Sequence, residues 1–402
     1  MHKEIRDFTV TVSKKEVVVA AQFPNQEHWL PLSNLDMCLV PPLDFSLYFC
    51  YTKPTCGDNW TFVSKVEVLK KALAKALVPY YALASSKLCG ADETIGCKLV
   101  PKKKNGMLAV QATGFKCGEL MVACTFGHKI MDGYSAGMFL ISWAEIAQSK
   151  PFSSLPTFCR SLLNPRNHGS FDSSLENLYI PITSFHPTKE PNLNNFVSRM
   201  YIVKANIINQ IQSLASTNEC KRTKVECFSA LLWKIIAKRG TADKNISKLG
   251  FLVDGRTRIG CGDKEKTKIL ASYFGNLVPS LWKQDHWAAA HRLVPSLPKI
   301  YAYGSKEGPA LVVSSLLRLP LSKVQFGWGR PTCVSCYFPW GGDAGFVVPM
   351  QSPSGNGDWV VYMYILKEEL ELIEREAGHM FRPLTLGYLN EFEQEPLVRS
   401  KM

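Results

Sequence analysis

The stretch 118–133, Gly-Glu-Leu-Met-Val-Ala-Cys-Thr-Phe-Gly-His-Lys-Ile-Met-Asp-Gly, constrains this chain more than any other. Residues 120–126 are a short, unbroken apolar run with β-branched and aromatic members, which predicts a buried strand. Beyond it, Phe139, Leu140, Trp143, Ile146 and Ala147 recur at helical spacing, which predicts a helix over 134–148. Residues 128–133 are then displayed at the exit of a core strand, where the chain has left the ladder but is still rigidly held.

Each residue of that exit has a chemical use. His128 is the side-chain type whose ordinary pKa lets it act as a base near neutral pH, taking a proton from an alcohol or amine that attacks an activated carbonyl. Asp132 can orient the imidazole, or it can turn away and pair with an arginine to pin the loop. Gly133 permits a backbone conformation or a close approach that a Cβ would block. The plain alternative is a satisfied, partly buried histidine at a turn.

At 402 residues the chain exceeds one compact core and fits two domains of roughly 200 residues each. Hydrophobic residues at 46% and charged residues at 20% give an ordinary globular balance. No apolar run reaches membrane-spanning length, and neither end reads as a signal peptide or lipidation site, so a cytoplasmic protein is expected. The 13 cysteines are scattered and read as reduced thiols. Cys333-Val-Ser-Cys336 is a lone CxxC, read as two thiols in a turn or strand, so no metal site is expected. The formal net charge is +13, but the lysine clusters at 102–104 and 264–268 belong to no nucleic-acid motif. Neither a nucleic acid nor a membrane is therefore expected as partner. A phosphate-bearing small molecule uses the same charge.

In chain order, alternating valines (Val10, Val12, Val17, Val18, Val19) predict one or two strands over 8–20. A central strand follows at 45–51. The clearest helix spans 63–78 and stops before Pro79. A further strand lies at 108–112. Periodicity is lost over 149–195, where six prolines mark a linker. Beyond it come a strand at 196–203, helices at 207–215 and 223–238, a strand at 249–253, strands at 310–316 and 360–366, and a helix at 367–377. This divides the chain into residues 1–180, a crossover at 181–195, and 196–402. Strands and helices alternate in both halves, so the class is α/β or mixed α+β, with two similar layered domains.

The motifs together resemble the BAHD acyltransferases, a plant family that moves acyl groups from coenzyme A thioesters to alcohols or amines. His128-Lys-Ile-Met-Asp132-Gly133 matches the family's HxxxDG, and Gln325-Phe326-Gly327-Trp328-Gly329 its DFGWG. Leu32-Ser-Asn-Leu-Asp36, Tyr80-Tyr-Ala-Leu-Ala84, Asp254-Gly-Arg256-Thr-Arg258 and Tyr273-Phe-Gly-Asn276 look like family landmarks in family order, so the resemblance covers nearly the whole chain. It implies two chloramphenicol acetyltransferase-like domains with a channel between them and the histidine in mid-channel. It implies that His128 is the general base, with no acyl-enzyme, and that Asp132 holds the loop by pairing with Arg256 or Arg258. Residues 326–329 are implied to shape the domain interface. Ser314 falls where a hydroxyl can bond the oxyanion, an interaction worth about 3 kcal/mol in such sites. Leu316 stands where many members carry tryptophan near the acceptor. Acyl-coenzyme A is implied as co-substrate, with no permanently bound cofactor and a monomeric protein. Whole stretches look most like members acting on phenylpropanoid alcohols or transferring hydroxycinnamoyl groups.

Three departures stand against the family pattern. Gln325 replaces an aspartate, and if that aspartate forms a buried ion pair, its loss costs roughly 3–5 kcal/mol. Material is expected but missing between 84 and 98, and between 282 and 292. A degenerate member that binds without turnover is thus a second reading. A third rests on Gly133-Tyr-Ser135-Ala-Gly137, a literal GxSxG, although a nucleophile elbow needs its serine directly after a strand.

Overall fold

The structure, a computed structural model, describes residues 9–22, 29–37, 43–53, 60–84, 98–103, 106–163, 179–184, 195–240, 246–259, 262–278, 280–281, 296–304, 308–339 and 342–384. The first half carries α1 (Asn34–Met37), β1 (Asp44–Tyr51), α2 (Phe62–Ala76), α3 (Tyr81–Ala84), β2 (Leu108–Gly114), β3 (Leu120–Gly127), α4 (Gly133–Ala147) and β4 (Tyr179–Pro181). The second half opens with β5 (Phe196–Val203), α5 (Ala205–Ala215), α6 (Lys224–Ala237), β6 (Lys248–Leu252), α7 (Arg256–Ile259) and α8 (Lys264–Ala271). It continues with β7 (Ser280–Leu281), β8 (Ser296–Pro298), α9 (Lys299–Tyr303), β9 (Ala310–Ser314), β10 (Cys333–Tyr337), β11 (Gly345–Gln351), β12 (Trp359–Leu366), α10 (Lys367–Ala377) and β13 (Arg382–Pro383).

Among the described residues, one antiparallel sheet has the order β10-β1-β3-β2. A second has the order β13-β5-β12-β11-β9-β6-β7, and in it β9 runs parallel to β6 and β11. Every residue of β3 is buried, because the strand is central and covered on both faces. That is why its sequence is unbroken rather than alternating. On one side Phe45, Leu47, Phe49 and Tyr51 of β1 join Leu73 of α2 and Phe139 and Trp143 of α4 in the main core. On the other, Tyr48 meets Val100, Met121 and Ala123. Each such fully buried side chain contributes about 1.5–3 kcal/mol. A second core lies between β5, β12 and the helices α6 and α10.

The helix starts are set by side chains. Thr61 and Thr223 each form a reciprocal capping box at the start of α2 and α6. Asp132 caps α4 by accepting from the Ser135 amide at 2.8 Å. Trp143 Nε1 donates to the Leu69 carbonyl at 3.0 Å, tying α4 to α2.

Several features differ from the sequence reading. Residues 9–20 form no strand. Val18 and Ala20 pack on the core, but Val12, Val17 and Val19 face solvent, and Ala21 donates to the Ala74 carbonyl at the end of α2 rather than to a ladder. Strand β9 stops at Ser314, and Leu316 turns off to donate to the Pro349 carbonyl. Of the turn or strand the CxxC offered, the chain makes a strand, β10, whose return from the second half to pair with β1 was not foreseen and places Cys333 opposite Cys50. Cys333 and Cys336 are free thiols within that strand. The linker prolines at 165, 187 and 191, and the two segments where material is missing, lie outside the described residues. Among the described residues no helix is long and apolar enough to cross a membrane.

Candidate active site

His128 opens a short 3-10 turn directly after β3. Its amide donates to the Leu43 carbonyl at 2.9 Å, which fixes the start of the turn beside β1. Its ring lies between Phe45, at 4.8 Å between centroids, and Phe338, at 5.7 Å. One ring comes from β1 and the other from just beyond β10, so both halves of the chain enclose it. Burial lowers the imidazole pKa below its ordinary 6.5, against smaller opposing effects from its own backbone, Asp132, Met131 and Asn276. Burial thus favours the neutral form of the ring, the form a general base needs.

Asp132 does not orient this imidazole. Fully buried, it accepts from Arg256 Nη1 at 2.8 Å and Nη2 at 3.1 Å, from the Ser135 amide at 2.8 Å and from the Leu277 amide at 2.9 Å. Burial pushes its carboxyl up, but the Arg256 charge and these donors outweigh it and hold the pKa below 3.8. Of the two arginines the motif offered, Arg256 makes the pair, while Arg258 is exposed. Arg256 also stacks 4.2 Å from the Tyr134 ring centre and donates to the carbonyls of Tyr273 and Gly275. Asp132 is thus a structural clamp rather than a proton-transfer partner.

Gly133 serves a close approach. A Cβ there would lie 3.0 Å from Leu316 Cδ2, so Leu316 sits against the His128 loop. Ser314 is half-buried at the end of β9, two residues before it. The Lys103–Asp44 ion pair, at 3.1 Å, was not foreseen. Asp44 lies opposite Gly127 in the register of β1 and β3, and burial raises its pKa despite Lys103. A charged residue opening an otherwise apolar strand was the available signal.

Residues 326–329 pack away from that loop, on the helix side of the first sheet. Phe326 meets Trp143 at 4.7 Å, and Trp328 meets Trp60 at 5.6 Å and Tyr51 at 6.0 Å. Gly327 and Gly329 have φ of +112° and +111°, which glycine adopts without strain. Among the described residues Gln325 leaves no buried arginine stranded: Arg160 and Arg256 each face an aspartate elsewhere.

Ser135 is fully buried inside α4. Its hydroxyl donates to the Gly275 carbonyl and accepts from the Gly275 amide and Arg256. No strained elbow presents it to a substrate, so the hydrolase reading loses its nucleophile. Ser135→Ala is expected to destabilise the protein by about 1–3 kcal/mol while leaving kcat within a few-fold, as denaturation and turnover assays would show.

The profile of the Transferase family matches residues 8–90, 92–289 and 282–380. The chain is 24% identical over 438 residues to shikimate O-hydroxycinnamoyltransferase of Nicotiana tabacum, covering 89% of this chain and 96% of that protein. Its fold is similar to that of vinorine synthase, with a TM-score of 0.66 at 17% identity, covering 92% of this chain and 98% of the other. It is equally similar to F. graminearum TRI101 complexed with coenzyme A and T-2 mycotoxin: TM-score 0.66, 11% identity, 88% and 98% covered.

Proposed function

The chain belongs to the Transferase family, the BAHD acyltransferases, and we propose that it moves an acyl group from an acyl-coenzyme A thioester to a hydroxyl acceptor, a phenylpropanoid alcohol or related plant metabolite. The observation that carries this reading is His128: an imidazole at the exit of β3, flanked by rings from both halves, with the neighbouring carboxylate committed to Arg256. The name of the tobacco relative supports a hydroxycinnamoyl donor, and the coenzyme A bound to TRI101 supports the thioester.

In this mechanism His128 takes the proton of the acceptor hydroxyl as its oxygen attacks the thioester carbonyl. The resulting tetrahedral oxyanion is met by Ser314, and Leu316 lines the acceptor side. Collapse breaks the C–S bond, and the departing thiolate takes the proton back from the imidazolium. No acyl-enzyme forms. Acyl-coenzyme A is a co-substrate, and its phosphates account for part of the basic excess of this chain. Residues 1–180 and 196–402, joined by 181–195, serve as the two domains, and the protein works as a cytoplasmic monomer without metal, nucleic acid or membrane.

The test is product formation by mass spectrometry. Purified protein is incubated with acetyl-, coumaroyl- and caffeoyl-coenzyme A against phenylpropanoid alcohols, shikimate and polyamines. Acylated product supports the reading and names the substrate, whereas thioester binding without product supports the non-catalytic alternative. The pH dependence gives an independent check. A base must be neutral to act, and burial makes His128 harder to protonate, so kcat/KM should hold below pH 6.5 before falling. An acid limb centred above 6.5 would count against His128.

A further inference from the structure

We propose that Asn276 is the positioning residue for His128, holding the imidazole with its proton on Nδ1 and its lone pair on Nε2, and that Asp36 holds Asn276. This rests on the reading of His128 as the base.

Among the described residues, His128 Nδ1 and Asn276 Oδ1 are both buried polar atoms without a hydrogen-bond partner. The two residues already touch, because Asn276 Nδ2 donates to the His128 carbonyl at 2.8 Å. That same Nδ2 donates to Asp36 Oδ1 at 2.9 Å, and the Asn276 amide donates to it at 3.1 Å. The amide orientation is therefore settled: a flip would set an oxygen against a carbonyl and a carboxylate. Oδ1 is left as an acceptor, and a neutral imidazole has one nitrogen to donate. An unpaired buried polar atom costs about 1–3 kcal/mol, so two leftovers of opposite kind on touching residues favour pairing. Hydrogen bonds of catalytic groups are often long in the free enzyme and tighten when substrate binds.

Asp36 is the anchor. It is fully buried and accepts from the Ser33 amide at 2.9 Å and the Ser33 hydroxyl at 2.8 Å. Arg160 lies 3.5 Å from it. The Leu32–Asp36 and Tyr273–Asn276 landmarks of the two halves thus meet on the main chain of the base. The other charged groups near the ring are spoken for: Asp132 by Arg256, which also binds Asp254, and Asp44 by Lys103. After the backbone of His128, Asp132 and the backbone of Met131, Asn276 is the smallest of the groups that favour the protonated imidazole.

The experiment compares Asn276→Ala with His128→Ala in the full chain. Expected for Asn276→Ala is a fall in kcat of about 10²-fold, the order seen for a 1 Å misplacement. KM for both substrates stays within twofold, and the acid limb of kcat/KM moves to lower pH, because the acceptor that favoured the protonated ring is gone. A merely structural role would lower the amount of folded enzyme without moving that limb. If Asn276→Ala does not fold, ¹⁵N NMR of histidine-labelled native protein decides, since Nδ1–H is expected for His128. An Nε2–H tautomer overturns the proposal. So does an Asn276→Ala enzyme of unchanged kcat and acid limb while His128→Ala is dead. An active His128→Ala would instead overturn the general-base reading itself.

Discussion

Replacing His128 with alanine is expected to lower acyl-transfer turnover by about 10²–10⁴-fold, the range that general-base catalysis supplies. The fold is expected to survive. The imidazole contributes ring contacts to Phe45 and Phe338, and its removal leaves only a small cavity beside them. Steady-state kinetics with a thermal melt on the same sample separates the two effects. Turnover within tenfold of wild type, at unchanged melting temperature, would sink the assignment. The neighbouring carboxylate cannot substitute, because both oxygens of Asp132 are occupied by Arg256 and backbone amides.

Removing Arg256 has the larger effect on stability. Arg256→Met leaves Asp132 as a fully buried carboxylate without its counter-charge, a change that costs about 3–5 kcal/mol. Against a total of about 5–15 kcal/mol for a typical domain, that threatens folding at growth temperature. The sign with pH follows from the shift. In the native protein the Asp132 pKa lies below 3.8, so the pair's contribution is present above 3.8 and is lost as pH falls through the lowered value. Without Arg256 the burial effect is left to dominate and the pKa rises, so the deficit is greatest at neutral pH and shrinks in acid. Asp132→Asn with Arg256→Met should recover part of the loss, because the stranded charge is gone. Urea denaturation at two pH values tests both statements, and a loss under 1 kcal/mol at pH 7 would refute them.

Much of this was legible in the residues, for identifiable reasons. Strand β3 and helix α4 announced themselves because one is buried on every residue and the other carries its apolar side chains at helical spacing. The His128 loop followed from their junction. What stayed hidden depends on partners distant in the chain. Strand β11 contains Pro349, which argues against a strand when read locally, yet it is paired with β12 and β9. The valines over 10–19 suggest a strand, but among the described residues no partner strand meets them. Helix α8 was hidden in a run of lysines and is held by the Asp263 cap. The choice between Arg256 and Arg258, and the meeting of Asp36 with Asn276 across 240 residues, are matters of packing that spacing does not encode.

The return of β10 to the edge of β1 sets the order in which this protein can be finished. Among the described residues, the first sheet has three of its four strands by residue 127, and the fourth arrives only when residues 333–337 are made. Until then the backbone of β1 offers an unpaired, apolar edge of the kind that recruits other chains. The closing strand brings Cys333 and Cys336 to that edge and follows directly on the aromatic clamp of residues 326–329. A nascent chain stalled short of 337, or a fragment cut to the first half, is therefore an aggregation hazard rather than a working half-enzyme.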